Sequence, residues 1–301
     1  MRKRLAFLVK WAWVACVLAA AGVLAYRSRS DILEMLQQIS PGLLAASVFT
    51  TVLAKGLLAE NARIAAARNG IPLDFVTAAR LYNLSQLGKY LPGSIWQFVG
   101  RAAAYRGRGA AYGPIRDALL VESLWIVAGA AVVGVLLIGP GVVDIVVGSL
   151  TPALVWWLGG GVLVAMLGMA TLLAWKRHVA AYYTRLALPS GRVILTQMGI
   201  WAMLGFAFWV LARACDLDIS LLFATGLFAT GYAVGFMVPF APAGLGVRDG
   251  ILTLGLLPYL PAGEALVVTI LARVVYLLVD VGLVLLQEPV LAILQARERR
   301  D

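Results

Sequence analysis

The chain has 301 residues, of which 62% are hydrophobic and only 13% are charged, and its mean hydropathy is +0.90. A soluble domain carries roughly 25% charged residues, so this composition excludes a soluble globular protein and predicts an all-α polytopic membrane protein. The net charge of +10 is typical of basic cytoplasmic loops that face anionic lipid, and it does not indicate nucleic-acid binding.

Six apolar runs are long enough to span a bilayer. They lie at about 5–26, 42–59, 115–138, 153–175, 193–212 and 264–287. The first run follows a basic N-terminus and is longer than the core of a usual signal peptide, so we expect it to be retained as a span. Lys55 lies near the inner end of the second run, and we expect its long side chain to reach the membrane interface.

Two further apolar regions, at about 72–105 and 219–257, are interrupted by proline and glycine. Proline removes a backbone donor and clashes with the preceding turn, so neither region is predicted to be one continuous helix. We predict that each region enters the membrane and returns to the same side as a re-entrant helical hairpin. The predicted hairpin tips are Pro92, Gly93, Pro242, Gly244 and Gly246.

The distribution of Lys and Arg favours this topology. With two re-entrant hairpins, sixteen basic residues fall on inner ends and loops, against Arg27, Arg29 and Arg213 on outer loops. Because basic residues mark the cytoplasmic side, both termini are predicted to lie in the cytoplasm. The stretch from 139 is predicted to be a neutral outer loop, and the stretch around His178 is predicted to be an inner loop.

The two halves of the chain are predicted to form an inverted repeat within a single membrane domain, 1–301. The first repeat covers about 1–140 and the second about 150–290. The spacing agrees, since Pro92 precedes Glu122 by 30 residues and Pro242 precedes Arg273 by 31. Paired interruptions in two inverted halves indicate the central binding site of a transporter.

Ionisable residues inside apolar segments are candidates for that site. Arg80, Asn83, Gln86 and Lys89 recur every three residues and are predicted to share one side of the first hairpin. The candidate substrate-binding residues are Lys89, Arg248, Arg273, Tyr90, Trp96, Arg80 and Asn83. The candidate counter-charge or coupling residues are Glu122, Asp249 and Asp280.

Two interpretations of these charges stay open. Glu122 and Arg273 could form an ion pair that only holds helices together, or Glu122 could hold Arg273 or Lys89 in place for an anionic head group. Gly231 and Gly235 form a GxxxG pattern, which favours close helix contact.

Catalysis is disfavoured by the residues present. Two cysteines and one histidine are too few for a disulfide framework, a metal site or a His-based catalytic set. No Gly-rich phosphate loop followed by Lys and Ser or Thr occurs in the chain, which argues against ATP hydrolysis. We therefore expect neither a cofactor nor an enzymatic activity.

The motifs "LGKYLPGSIWQFVGR" at 87–101 and "PFAPAGLGVRDGIL" at 239–252 resemble the flippase-like membrane domain of lysylphosphatidylglycerol synthases, the multiple peptide resistance factor family. The resemblance implies a carrier that moves lipids, or lipid-linked head groups, between leaflets, and it implies a multi-pass protein of the bacterial inner membrane. The family often has Gly-Gly and Glu where this chain has Ala243-Gly244 and Asp249. No aminoacyl-transferase domain follows in this sequence, so a stand-alone member without lysyl-lipid synthesis is expected.

The leading hypothesis is a translocase for an anionic phospholipid or a polyprenyl-phosphate-linked lipid. Three alternatives remain at this stage. They are a secondary transporter of a soluble anion, a non-catalytic membrane partner of a glycosyltransferase or synthase, and a membrane-embedded enzyme, of which the last is the least favoured.

Overall fold

The computed structural model describes residues 22–23, 26–27, 29–91, 95–148, 177–238 and 244–298. This part of the chain contains ten α-helices, one short 3₁₀ helix and no strand, which confirms the all-α class. The helices are α1 (Arg29–Gln38), α2 (Pro41–Arg68), α3 (Phe75–Gln86), α4 (Trp96–Arg106), α5 (Tyr112–Gly148), α6 (Arg177–Ala187), α7 (Gly191–Ala214), α8 (Leu221–Phe236), α9 (Val247–Leu256) and α10 (Ala262–Glu298).

Four helices of the described part are long and apolar enough to cross a membrane. These stretches are Pro41–Arg68, Tyr112–Ile138, Gly191–Ala214 and Ala262–Gln287. They contain the second, third, fifth and sixth apolar runs, so those four predictions are confirmed. The fourth run, 153–175, lies outside the described residues, and so does the first, 5–26, except for a few positions at its end.

Two stretches predicted to be loops are helical. Helix α5 continues to Gly148 through the proline at position 140, as membrane helices tolerate when neighbouring groups satisfy the freed backbone. Helix α6 occupies the stretch around His178. The hydroxyls of Tyr182 and Tyr183 donate to the Asp117 carboxylate at 2.6 and 3.1 Å. These bonds hold α6 against the start of α5.

Each interrupted region consists of two helices separated by a break. In the first, α3 is followed by the 3₁₀ helix Leu87–Tyr90 and, after the break, by α4. In the second, α8 and α9 flank the break. Three of the predicted tips, Pro92, Gly93 and Pro242, lie outside the described residues.

The chain reverses direction at both breaks, as close contacts across them show. A Cβ atom added to Gly88 would lie 2.6 Å from the backbone nitrogen of Gln97. A Cβ atom added to Gly244 would lie 3.4 Å from Cα of Gly235. Gly244 and Gly246 have φ angles of +70° and +82°, which side chains other than glycine rarely adopt.

The first helix of each interrupted region begins with a side-chain cap. The Asp74 carboxylate accepts a hydrogen bond from the Thr77 amide at 2.9 Å, and this backbone donor lowers the pKa of Asp74. The Ser220 hydroxyl accepts a hydrogen bond from the Phe223 amide at 3.1 Å. Such caps satisfy amide groups that the first turn of a helix leaves without a partner.

The main core lies where α2, α7 and α8 pack together, and α5 packs mainly against α8 while also contacting α2 and α7. Its large buried side chains include Trp201, Leu204 and Phe208 of α7 and Phe228 of α8. Helices in lipid associate mainly through such close packing. The core therefore forms a scaffold against which the two interrupted regions and α10 are placed.

Candidate functional site

A cavity of about 260 Å³ lies between the two interrupted regions. Residues on both sides of each break line it, namely Tyr90 and Ile95 at the first and Val238 and Gly244 at the second. Helices α2, α5 and α10 supply the remaining walls. The two breaks, which are about 150 residues apart in the chain, thus face one space.

Most of the predicted site residues meet at this cavity. Those that line it are Lys89, Tyr90, Glu122, Gly244, Arg248, Asp249 and Arg273. Asp280 lies behind the wall, where it is 1% exposed and contacts Lys89. Gly246 lies beside the cavity and donates its N–H to Asp249 at 3.0 Å.

Three predicted substrate-binding residues do not line the cavity. Arg80 and Trp96 are exposed, and Asn83 is buried outside it. For Arg80 and Asn83 the reason is helical geometry. Residues three apart lie about 300° apart around the helix axis, so a row of them turns by about 60° at each step. Gln86 and Lys89 line the cavity, whereas Arg80 has turned away from it. A substrate-binding role for Arg80, Asn83 and Trp96 gains no support.

Arg101 and Glu122 form a buried ion pair on the cavity wall. Nη1 of Arg101 lies 2.5 Å from both carboxylate oxygens of Glu122, and Arg101 is 2% exposed. The expected partners of Glu122, Arg273 or Lys89, are therefore wrong. Helix α4 brings Arg101 against α5, where it contacts Glu122.

Arg273 pairs with Asp249 instead. The Nη2 atom of Arg273 lies 2.7 and 3.0 Å from the two carboxylate oxygens, and its Nε lies 3.2 Å from one of them. This bidentate arrangement connects α10 to α9. It corresponds in position to the Arg101–Glu122 pair, since each joins the helix after a break to the next long helix, but the two signs are exchanged.

Asp280 holds a cluster that joins the two halves of the chain. Its carboxylate lies 2.6 Å from Nζ of Lys55 and 2.5 Å from Nζ of Lys89, and it accepts the Tyr90 hydroxyl at 2.7 Å. Lys55 is 2% exposed, so the expectation that it reaches the interface is wrong. A buried charge is stable only when it is paired, and Asp280 provides the pairing.

Arg248 differs from the other cations of the cavity. Its guanidinium lies over the rings of Phe228 and Tyr276, at 4.5 and 5.0 Å from the centroids. Among the described residues, no carboxylate lies within 4.0 Å of it. Arg248 therefore presents a positive charge that the described part of the protein does not neutralise.

Glycines of α8 make room for Arg248. A Cβ atom added to Gly235 would lie 3.0 Å from Cβ of Arg248, and one added to Gly231 would lie 3.5 Å from its Cγ. The GxxxG pattern is thus a helix contact, as predicted, between α8 and α9. Its specific effect is to let Arg248 approach α8 closely.

The family model for the lysylphosphatidylglycerol synthase TM region matches residues 11–283. This chain belongs to the lysylphosphatidylglycerol synthase TM region family. Both breaks and all the residues that line the cavity lie within the matched segment. A search of curated proteins finds no match.

In this family member the cavity is suited to binding an anion. Its wall carries five cations, namely Lys55, Lys89, Arg101, Arg248 and Arg273. The carboxylates that contact them are Glu122, Asp249 and Asp280. Across the described residues, no group of three or more His, Cys, Asp or Glu side chains could hold a metal ion.

Sequence reasoning missed several residues of the cavity. They are Lys55, Asn61, Tyr82, Arg101, Tyr232 and Tyr276. A signal existed for Lys55, because a lysine in one apolar run and an aspartate in another predict a pair inside the membrane. No comparable signal existed for the tyrosines, whose spacing also fits ordinary helix packing.

Proposed function

We propose that this membrane protein translocates an anionic lipid, or a lipid-linked anionic head group, between the two leaflets. The observation that carries the proposal is the excess of positive charge in a cavity that lies between the two helix breaks. Irregular backbone at membrane depth is tolerated where it is buried in protein or lines a polar space. The membership in a family named for a lipid synthase is consistent with a lipid substrate.

The size of the cavity supports a head group rather than a whole lipid as its occupant. Pockets that enclose drug-sized molecules have volumes of about 300–1,000 Å³, and this one measures about 260 Å³. Acyl or prenyl chains must therefore stay outside. Two wall residues suit that arrangement, because Ile95 and Phe236 are 57% and 38% exposed and lie beside the two breaks.

We further propose that the two interrupted regions are re-entrant hairpins of an inverted repeat. The corresponding positions of the Arg101–Glu122 and Asp249–Arg273 pairs support this. In this arrangement the Asp280 cluster is the contact across which one half rocks against the other. The Lys and Arg distribution supports cytoplasmic termini, and we place the protein in the bacterial inner membrane by its resemblance to the family.

Leaflet exchange in proteoliposomes tests the proposal. Protein is reconstituted with head-group-labelled phosphatidylglycerol, and separately with a labelled polyprenyl phosphate, and the labelled lipid accessible from outside is followed over time. The wild type is compared with Lys89→Ala/Arg248→Ala and with Arg106→Ala, which removes an exposed arginine at the end of α4.

We expect exchange by the wild type and by Arg106→Ala, and none by the cavity variant. If the wild type matches protein-free liposomes for both lipids, translocation of these lipids is refuted. Uptake of a soluble phosphate would then favour a soluble-anion transporter. Retention of exchange by the cavity variant would refute the assignment of the path to this cavity.

A further inference from the structure

Three cations converge on the ring of Tyr276. Lys55 Nζ, Arg248 Cζ and Lys89 Nζ lie 4.7, 5.0 and 5.8 Å from the ring centroid. Only one carboxylate of the described residues, that of Asp280, contacts any of the three, and it is shared by the two lysines. With all three cations protonated, the described structure around this ring therefore holds two positive charges more than negative ones.

The other charges of the cavity do not change this balance. Arg101 pairs with Glu122, and Arg273 pairs with Asp249, one to one. The stretches 92–94 and 239–243, which complete the breaks, have the sequences PGS and PFAPA and carry no charged side chain. Among the residues described around the cavity, the excess of two is thus confined to the surroundings of Tyr276.

The hydroxyl of Tyr276 is a second, independent sign of a ligand. Tyr276 is 8% exposed and lines the cavity, yet its hydroxyl has no hydrogen-bond partner among the described residues. Buried hydroxyl groups are almost always hydrogen-bonded. A donor without an acceptor beside unneutralised cations indicates that the missing partner is an anion that accepts hydrogen bonds.

We infer that Tyr276, Arg248 and Lys89 form a seat for a head group with two negative charges, and that its chemical class is a phosphate monoester. A phosphate monoester carries about −1.5 to −2 at pH 7, whereas a phosphodiester carries one negative charge. The monoester therefore matches the excess of two charges, and its oxygens accept bonds from arginine, lysine and the tyrosine hydroxyl. The inference deepens the proposed function, on which it rests only in taking the ligand to be an amphiphile.

Binding to the purified full-length protein in a neutral detergent tests the charge of the ligand without requiring transport. Octyl phosphate and octyl sulfate have the same chain and a tetrahedral head group, but the sulfate carries a single charge. At pH 8, titration calorimetry is expected to give octyl phosphate at least tenfold higher affinity. Below the second pKa of the phosphate, about 6, the ratio is expected to fall towards one. Equal affinities at pH 8 would overturn the inference.

A conservative pair of variants tests the seat itself. Tyr276→Phe removes only the hydroxyl and is expected to weaken octyl phosphate binding roughly three- to tenfold, the effect of one lost hydrogen bond. Tyr232→Phe is the control, because Tyr232 lines the same cavity and none of the described cations lies over its ring. A thermal unfolding transition like that of the wild type shows that each variant is folded. Equal effects of the two variants would overturn the assignment to Tyr276.

Inorganic phosphate separates the two sources of the ligand. Octyl phosphate that binds much more tightly than inorganic phosphate supports a lipid head group. If the two bind equally and Tyr276→Phe weakens both, the seat stands but serves a soluble phosphate, and lipid translocation loses its support. If the protein exchanges a phosphodiester lipid between leaflets and shows no preference for the monoester, the proposed function stands and the inferred monoester site is refuted.

Discussion

Glu122 pairs with Arg101, which lies on the helix that follows the first break, and not with Arg273 of the opposite half. Each half of the chain therefore contains its own ion pair, and the Arg101–Glu122 pair is more deeply buried than the Arg273–Asp249 pair. At the cavity, Lys55, Lys89 and Tyr90 of the first half contact Asp280 of the second. The two kinds of contact have different consequences, because breaking a pair within one half affects folding, whereas changing the shared cluster also affects how the halves meet.

The pair in the first half is expected to be essential for stability. Glu122→Gln leaves the guanidinium of Arg101 charged and 2% exposed, and removing one partner of a buried pair costs about 3–5 kcal/mol. The melting temperature of the purified protein should fall sharply. Glu60→Gln is the control, because Glu60 pairs with Arg63 and Arg192, whose side chains are 22% and 63% exposed, and partly exposed pairs contribute only about 0–1 kcal/mol each. Equal losses in the two variants would contradict this prediction.

Substitution of Asp280 is expected to lower the stability of the protein more than substitution of its partner Lys55. Asp280→Asn removes the carboxylate from both lysines and should destabilise the protein strongly. Lys55→Met leaves Asp280 with Lys89 and Tyr90 and should have a smaller effect, since an apolar side chain of similar length fills the site.

The double variant Lys55→Met/Asp280→Asn provides the check on this reasoning. It should recover part of the stability lost in Asp280→Asn, because one unpaired buried cation is removed. Melting temperatures of the three variants measure the coupling. A Lys55→Met protein as unstable as Asp280→Asn would contradict this prediction, because it would show that Lys89 and Tyr90 alone do not stabilise the buried Asp280 carboxylate.

Gly235 is expected to control the position of Arg248. A Cβ atom there would lie 3.0 Å from Cβ of Arg248, so Gly235→Ala should displace the arginine by a few tenths of an ångström and Gly235→Val by more. Leaflet exchange should fall in that order. Gly250→Ala is the control, because Gly250 lies on the same helix as Arg248 and a Cβ atom added there would have no atom within 4 Å. It should keep full exchange and gain about 0.5–1 kcal/mol of stability. Unchanged exchange in Gly235→Val would contradict the role assigned to this contact.

Gly88 is expected to be required for the close approach of the two backbone segments that flank the first break. An added Cβ would lie 2.6 and 2.7 Å from backbone atoms of Gln97 and Trp96, and a backbone cannot move aside as a flexible side chain can. Gly88→Ala should therefore destabilise the protein by about 1–3 kcal/mol and reduce exchange. Gly100→Ala, on the partner helix α4 with its nearest atom at 4.0 Å, should do neither. Melting temperature and exchange, measured on both variants, decide the matter.

The described spans and the two interrupted regions could be predicted from the chain alone. Uninterrupted apolar length is a direct consequence of bilayer thickness, and proline or glycine between charged residues marks a break whatever surrounds it. The same local rules misjudged positions 139–148 and 177–187. There, a proline is accommodated within a helix and an amphipathic helix is held by Tyr182, Tyr183 and Asp117.

The pairing of charges could not be predicted in the same way. The sequence shows that Glu122, Arg273 and Asp280 need partners inside the membrane. However, each of these residues had several possible ion-pair partners of opposite charge at comparable spacing. Coulomb attraction depends on distances of a few ångströms, and these are set by how α4, α9 and α10 pack around the cavity. The sequence by itself thus determined the membrane class, the breaks and most of the cavity's charged residues. Only the tertiary structure decided which charges neutralise one another, and that Arg248 has no carboxylate partner among the described residues.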